Sequence, residues 1–292
     1  MIEILLSLLI GVLEQGFIYG ILALGIYITY SILDFPDLSV DGTFPLGAAM
    51  TAMLIFHGVN PWLAILASFL TGCFAGFLTG IFHVVFKIKD LLAGIITMTG
   101  LYSINLMIAG GKAILPITNA NTIFNSGIFQ NFSALLIIFI CIVVIKLLLD
   151  WYFKTQSGIL LRAVGDNHAV VTMLAKDQGK VKILGLMLCN GLAATAGSIL
   201  CQQQRNFDVN SGTGMLVMGL ASVIIGVSIL SFMSFLKGTT MVIFGSIIYK
   251  TCLAVALYFN FNPNNLKLLM ASIFLIALVS KDLLRKGGSK NA

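Results

Sequence analysis

Charged residues are scarce in this chain. Of its 292 residues, 10% are Asp, Glu, Lys or Arg and 59% are hydrophobic. An ordinary soluble domain carries about 25% charged residues, so the composition excludes a soluble fold that covers its own surface. The net charge of +6 does not indicate nucleic-acid binding, because the basic residues are spread over short loops.

Groups of metal-ligating and nucleophilic residues are also missing. The five cysteines lie apart in apolar runs without a C-x-x-C pair, and the three histidines are scattered. This excludes a disulfide framework and a zinc site, and we predict no metal, no cofactor and no catalytic residue. The chain has no phosphate-binding loop of the form G-x-x-x-x-G-K-[ST], so energy from a nucleotide must arrive through a partner.

Apolar runs of about 20 residues, in contrast, recur along the whole chain, and this is the length that crosses a bilayer core of ~30 Å. The runs are continuous rather than alternating, which favours helices over strands. We predict an all-α, polytopic transmembrane bundle that forms one domain over residues 1–292. Nine spans are expected, with an uncertainty of one, at 15–33, 43–57, 62–86, 92–110, 133–153, 182–203, 213–231, 237–258 and 265–281.

Three of these regions are unusual in length or composition. Residues 1–13 are apolar, lack the basic start of a signal peptide and precede the polar Glu14-Gln15-Gly16. They are too short to span at 1.5 Å per residue, so we expect an interfacial or half-inserted helix. The segments 43–57 and 213–231 are short and contain Gly or Pro, which predicts broken or tilted elements.

The loops differ strongly in positive charge, which predicts the orientation. Twelve of the 17 lysines and arginines fall on one side of the predicted spans, three on the other, and two within spans. The loop 154–181 and the C-terminus are therefore expected in the cytoplasm of a bacterial cell. With nine spans, the N-terminus and the loop 111–132 then face outward.

Two short segments resemble each other. Gly42-Thr-Phe-Pro-Leu46 and Gly212-Thr-Gly-Met-Leu216 share three of five residues, and each follows a polar break and opens a short span. Their predicted directions across the membrane are opposite. This is the pattern of an inverted-topology repeat, which is common in transporters.

The loop 154–181 is predicted to hold a short helix that starts near His168. Asp166 or Asn167 can cap its first turn, and an apolar face of valines and Leu174 follows. Such a face fits either a groove on a protein partner or the lipid headgroups.

Three motifs in this chain resemble one transporter family. The segment Ser157-Gly-Ile-Leu-Leu-Arg-Ala-Val-Gly-Asp-Asn167 is similar to the cytoplasmic loop of the ABC importer permeases for branched-chain amino acids, ribose and related solutes. It departs from their pattern at Val170, where a second small residue is common, and it lacks their Pro after Asn167. Two further stretches, Tyr19 to Asp37-Leu-Ser-Val-Asp-Gly and Asn210-Ser-Gly-Thr-Gly with the later Lys237-Gly-Thr, also resemble this family.

The resemblance implies the fold, the partners and a coupling site. The fold would be that of a type II ABC importer, acting as a homodimer with two copies of an ATPase subunit and with an extracellular or periplasmic solute-binding protein, in the bacterial cell membrane. The substrate would be an amino acid, aromatic or branched-chain, with a sugar or nucleoside as the alternative. The residues implied to couple the chain to the ATPase are Arg162, Gly165, Asp166, Asn167, His168, Val171 and Leu174.

The break between the first two predicted spans is acidic. Three carboxylates lie within Asp34-Phe-Pro-Asp-Leu-Ser-Val-Asp41, where unpaired burial would cost several kcal/mol each. We expect Pro36 and Gly42 to stop the helix. The break either lines the translocation path near its cytoplasmic gate, through Asp37, Ser39 and Asp41, or forms a solvated turn.

Polar residues inside other spans are further candidates. Thr97, Tyr102 and Asn105 are expected to lie towards the path, with Tyr102 and Asn105 on one helix face, although hydrogen bonding between helices is the alternative. Lys250 is expected to snorkel or to pair with a loop carboxylate. The ladder Gly72, Gly76, Gly80 predicts close helix packing, within the subunit or across a dimer.

Two other classes of protein were weighed against this interpretation. An ion-coupled secondary transporter would place ionisable residues deep in several spans, and here only Lys250 qualifies. An integral-membrane enzyme would show a cluster of His, Asp or Glu at the lipid interface, and the sequence has none.

Overall fold

The computed structural model is a bundle of helices with one small pair of strands. It describes residues 2–118, 120–125, 133–166, 178–230, 233, 235–258, 265, 268–276 and 278–279. The helices are α1 (Ile2–Ile26), α2 (Val40–Phe56), α3 (Pro61–Val84), α4 (Asp90–Ile108), α5 (Ala134–Tyr152), α6 (Gln156–Asp166), α7 (Gln178–Gln204), α8 (Met215–Leu230) and α9 (Gly238–Tyr258). Residues 268–276 are also helical. The strands are β1 (Ile114–Pro116) and β2 (Asn206–Asp208).

Within the described residues, seven helices are long and apolar enough to cross a membrane, and α2, with 17 residues, is a shorter apolar helix. The predicted spans from 43–57 to 237–258 each coincide with one of these helices within a few residues, whereas the span predicted at 15–33 begins well after the start of its helix, Leu6–Ile32. The predicted span 265–281 lies partly outside the described residues. Large apolar side chains on α3 and α5, among them Leu66, Leu70, Phe74, Leu147 and Leu148, are exposed, as expected of surfaces that face lipid.

The expectation of a separate interfacial helix over residues 1–13 is wrong. α1 runs without interruption through Glu14 and Gln15 and continues as a π-helical turn, Tyr27–Ile32. The polar residues are tolerated there because they find partners within the bundle. The amide of Gln203 donates to Glu14 Oε2 at 2.6 Å, and Gln15 Oε1 lies 3.4 Å from Lys250 Nζ.

Gly42 does not stop a helix, contrary to expectation. It lies near the start of α2, which is continuous and includes Pro45. A Cβ on Gly42 would lie 2.9 Å from Cα of Met98, so the glycine lets α4 approach. The chain instead breaks over residues 33–39, where Pro36 lies and where Asp34 adopts φ 51°.

α7 lies at the centre of the bundle, since 78% of its most apolar 18-residue stretch is buried. The glycine ladder of α3 packs against it. A Cβ on Gly76 would lie 2.3 Å from the carbonyl oxygen of Leu186, and one on Gly72 would lie 2.5 Å from that of Asn190. The ladder therefore serves packing within the subunit.

The helices are paired as an internal repeat requires. α1 packs on α8 and α9, just as α7 packs on α2 and α3, while α2 contacts α3 and α8 contacts α9. The segment between α7 and α8 contains β2 and a 3-10 turn, Val209–Gly212, and breaks at Gly214, whose φ is 85°. The chain is therefore irregular just before α8, the helix that corresponds to the span predicted at 213–231.

Strands β1 and β2 pair antiparallel, with Leu115 opposite Phe207. Both come from the loops between spans, and Phe207 is fully buried against Ala48, Ala49 and Ala52 of α2. These strands are not predictable from the sequence, because each has only three residues.

Candidate functional site

The break between α1 and α2 lies deep in the bundle. Its polar residues contact Asn190, which is about 18 Å along α7 from Gln178 at 1.5 Å per residue. Since α7 has 27 residues, this is close to the middle of the helix. Asp37 and Ser39 are fully buried, so the alternative of a solvated turn is wrong for these two residues.

Four buried polar side chains form one hydrogen-bonded network at this depth. The amide of Asn190 donates to Asp37 Oδ2 at 2.7 Å and to the carbonyl of Leu186 at 3.0 Å. Thr43 Oγ1 donates to Asn190 Oδ1 at 2.6 Å. Ser39 Oγ lies 2.6 Å from Asp37 Oδ1 and 3.0 Å from Asn190 Oδ1. The network joins the break to α2 and α7 and satisfies a buried carboxyl group.

Asp41 connects the two segments that resemble each other in sequence. Its carboxylate accepts hydrogen bonds from the backbone N–H of Gly214 at 3.0 Å and of Leu216 at 2.7 Å. It thereby caps the N-terminus of α8, where a negative charge is favourable. A Cβ on Gly212 would lie 1.9 Å from the carbonyl oxygen of Asp41, so this contact requires glycine.

Two candidates on α4 face the interior of the subunit. The amide of Asn105 donates to the carbonyl of Gly42 at 3.0 Å, and its Oδ1 is buried without a partner among the described residues. Thr97 Oγ1 accepts from Thr79 Oγ1 at 2.9 Å and is also buried. Both side chains are placed to hold α4 against its neighbours.

Tyr102 points the other way, so the expectation that it shares a helix face with Asn105 is wrong. Its side chain is 48% exposed, and Thr99, Gly100 and Ser103 are exposed beside it. A separation of three residues turns the helix by about 300°. Asn105 therefore lies on the buried side of α4, whereas Tyr102 lies on its exposed side. The result is a small polar face on a span.

The implied coupling residues are described only up to Asp166. Arg162 is exposed, with its guanidinium carbon 4.6 Å from the centre of the Phe153 ring. Gly165 packs against the end of the π-helical turn, because a Cβ there would overlap the carbonyl oxygen of Ile32. Asp166 is the last residue of α6, a helix that the sequence analysis missed. Asn167, His168, Val171 and Leu174, with the helix predicted for them, lie outside the described residues.

Several buried polar contacts were not predicted. Asp150 accepts from Thr239 at 2.7 Å and forms ion pairs with Lys237 at 3.0 Å and Lys146 at 3.1 Å. Asn190 was not singled out, although an amide in the middle of an apolar span is itself a signal.

Lys250 was expected to snorkel or to pair with a loop carboxylate. This expectation is wrong, since Lys250 is not exposed and forms no ion pair with a carboxylate among the described residues. Its side chain is buried, and Nζ lies 3.5 Å from the centre of the Tyr19 ring.

The described residues contain no group of three or more His, Cys, Asp or Glu side chains that could hold a metal ion. Asp37 of the break is instead held by the hydroxyl of Ser39 and by the amide of Asn190 on α7, and Asp41, at the start of α2, is held by backbone N–H groups of Gly214 and Leu216. Chemically, this arrangement ties the break to α7 through Asp37 and ties the start of α2 to the start of α8 through Asp41.

Comparison with known proteins gives consistent results. Residues 8–279 match the family described as "Branched-chain amino acid transport system / permease component". The chain is 43% identical over 278 residues to a tyrosine transport system permease protein of Clostridioides difficile (strain R20291), covering 95% of this chain and 92% of that protein. It is 26% identical over 225 residues to the ribose import permease protein of Escherichia coli (strain K12), covering 75% and 68%.

One solved structure also resembles this chain. PsaBC from Streptococcus pneumoniae in complex with Fab superposes with a TM-score of 0.53 and 17% identity, covering 91% of this chain and 89% of that one. At this identity the similarity concerns the fold.

Proposed function

Because the chain belongs to the family of branched-chain amino acid transport system permease components, we propose that it is the membrane-spanning subunit of an ATP-driven, binding-protein-dependent importer of an amino acid. Tyrosine or a similar aromatic amino acid is the proposed substrate. The observation that carries this choice is the 43% identity to a tyrosine transport permease over 95% of the chain.

The proposed assembly is a homodimer with two ATPase subunits on the cytoplasmic side and a solute-binding protein outside, in the bacterial cell membrane. The chain supplies no nucleotide-binding loop of its own. The basic side of the membrane, which includes the loop 154–181 and the C-terminus, is the proposed cytoplasmic side.

The polar face of α4 supports the proposed dimer. Thr99, Tyr102 and Ser103 are exposed on a span, and polar side chains that face hydrocarbon are unfavourable. We place this face against the second copy, with the translocation path on the two-fold axis between them. Tyr102 would then line the path, whereas Asn105 and Thr97, which are buried, would support it.

The contacts of α6 support a route for coupling. Gly165 touches the π-helical turn at Ile32, and this turn leads directly into the break that holds Asp37 and then into the start of α2, where Asp41 lies. A movement of the loop 154–181, driven by an ATPase bound to Asn167–Lys176, would press on the turn and shift the break. Asp37 would carry the shift to α7, and Asp41 would carry it to α8.

Reconstituted transport tests the proposal. The permease, its ATPase and its binding protein are placed in proteoliposomes, and uptake of labelled tyrosine, leucine and ribose is measured. We expect tyrosine to accumulate only with ATP inside and binding protein outside, and unlabelled phenylalanine to compete with it. An ATPase variant that cannot hydrolyse ATP is the control.

Two results would contradict the proposal. Accumulation driven by an ion gradient without ATP would indicate a secondary transporter. Uptake of ribose without uptake of tyrosine or leucine would refute the amino-acid assignment while keeping the permease role.

A further inference from the structure

A cavity of about 480 Å³ opens where four elements meet at one end of the bundle. Its walls come from the π-helical turn after α1, the end of α5, helix α6 and the start of α9. The polar lining residues are Tyr27, Ser31, Asp150, Lys154, Arg162, Lys237 and Thr239. Ile32 and Arg162, which the proposed coupling route involves, also line this cavity, but transport as proposed places no ligand in it.

The cavity has more positive than negative charge. Among the described residues that line it, the one carboxylate, Asp150, is already shared by Lys237 and by Lys146. Lys154 and Arg162 are exposed, and within the described part of the chain neither forms an ion pair with a carboxylate. The positive charges of Lys154 and Arg162 therefore favour an anionic ligand.

Neutral groups in the cavity add hydrogen-bond donors. The hydroxyl groups of Tyr27 and Ser31 line it, and so do Gly238 and Thr239. These two residues begin a helix of 21 residues, whose first backbone N–H groups have no partner within the helix and carry its positive end. Cations, hydroxyls and helix N–H groups together suit the oxygens of a phosphate.

The position along the helices places the cavity at a membrane surface. It lies beside the last residues of α5, where Trp151 is 68% exposed, and exposed tryptophan is typical of the headgroup level. Lys154 follows directly after α5, on the side with twelve of the 17 basic residues. Basic pockets between spans at this level bind anionic lipid headgroups.

We propose that this cavity binds the phosphate group of an anionic phospholipid of the cytoplasmic leaflet, with Lys154 and Arg162 as its main charged contacts. The assignment to the cytoplasmic leaflet depends on the proposed orientation of the chain. The preference of the site for a phosphate group does not depend on it. A bound headgroup would bridge α5 and α6 to the first turn of α9, next to the turn against which Gly165 packs.

The test measures lipid binding directly, without transport. Purified full-length protein in neutral detergent is titrated with dioctanoyl phosphatidylglycerol, dioctanoyl phosphatidylcholine and inorganic phosphate, and bound lipid is counted by native mass spectrometry. Lys154→Gln is compared with Lys89→Gln, which removes an exposed lysine from the same predicted side but away from the cavity. Arg162→Gln, alone and combined with Lys154→Gln, tests the second cation.

We expect phosphatidylglycerol to bind more tightly than phosphatidylcholine. Each cation removed from the cavity should weaken it about five-fold, with no change for Lys89→Gln. A third result is that inorganic phosphate binds to the wild type but not to Lys154→Gln, while neither lipid binds. The cavity would then still be an anion site, but its ligand would be a soluble phosphate and not a lipid.

Equal binding of both lipids, or equal loss in Lys154→Gln and Lys89→Gln, would overturn the proposal. It would also be overturned if neither lipid nor phosphate bound while Lys154→Gln lost copurification of the ATPase, because the cavity would then serve a protein contact. Tyrosine uptake is not read in any arm, so failure here leaves the proposed transport function untouched.

Discussion

At the scale of single residues, Asn190 matters because it satisfies a buried acid. Its amide donates to Asp37 and its oxygen accepts from Thr43. Removing one partner of a buried charged or polar pair costs far more than the pair contributes by itself. Asp37 in this setting depends on a side chain from a different part of the chain.

Replacing Asn190 by leucine should therefore destabilise the protein by about 3 kcal/mol, since Asp37 Oδ2 loses its donor while the volume is kept. Thermal unfolding in detergent, followed by circular dichroism, measures the change. Thr195→Val is the matched control on the same helix, because Thr195 Oγ1 donates to the carbonyl of Gly191, one turn back, and has no other partner among the described residues. Equal melting temperatures for the two variants would contradict the role given to Asn190.

The sequence was informative about one half of this network only. The acidic break identified Asp37 and Ser39, because carboxylates between two spans are conspicuous. It could not identify Asn190 or Thr43 as their partners. The pairs are separated by up to 153 residues, and no spacing rule connects residues so far apart.

At the scale of elements, the close packing of α3 on α7 depends on glycine. A methyl group on Gly76 would lie 2.3 Å from the carbonyl oxygen of Leu186, and both atoms belong to rigid helices. The helices can only move apart, which removes contacts along the whole interface.

Gly76→Ala should cost about 2 kcal/mol by overpacking, although alanine is the better helix former. Gly11→Ala is the control, since a Cβ there meets nothing within 4 Å, and this variant should be neutral or slightly stabilised. Melting temperatures in the same detergent compare the two. A Gly76→Ala protein as stable as the wild type would show that the helices can separate without loss.

Helix positions were largely predictable, because an apolar run of about 20 residues has few other stable states in a bilayer. The errors came from polar residues. Glu14 and Gln15 were treated as an interruption, yet both have partners in other helices. Gly42 was treated as a helix end, yet it is a contact point for α4.

At the scale of the whole molecule, the exposed polar face of α4 is better suited to a protein neighbour than to lipid. The apolar surfaces of α3 and α5 are suited to lipid, whereas Tyr102 and Ser103 are not. A closed two-fold dimer is the commonest symmetric solution. In it, this face would meet its own copy.

Cysteine cross-linking checks this arrangement. In a variant without the five native cysteines, Ser103→Cys should give a covalent dimer with a short bifunctional thiol reagent in membranes. Leu70→Cys, on the exposed apolar side of α3, should remain monomeric. Dimers from Leu70→Cys, or a single permease copy in the solubilised complex, would contradict the proposed axis.

The order of synthesis gives the deep network a further consequence. Asp37 leaves the ribosome 153 residues before Asn190, which at about 5–20 residues per second is a wait of roughly 8–30 s. During that time the carboxylate of Asp37 has no hydrogen bond from the amide of Asn190, and its burial in the membrane interior would be unfavourable. The break must therefore stay hydrated until α7 arrives, so the first two helices reach their final depth only after more than half of the chain has been made.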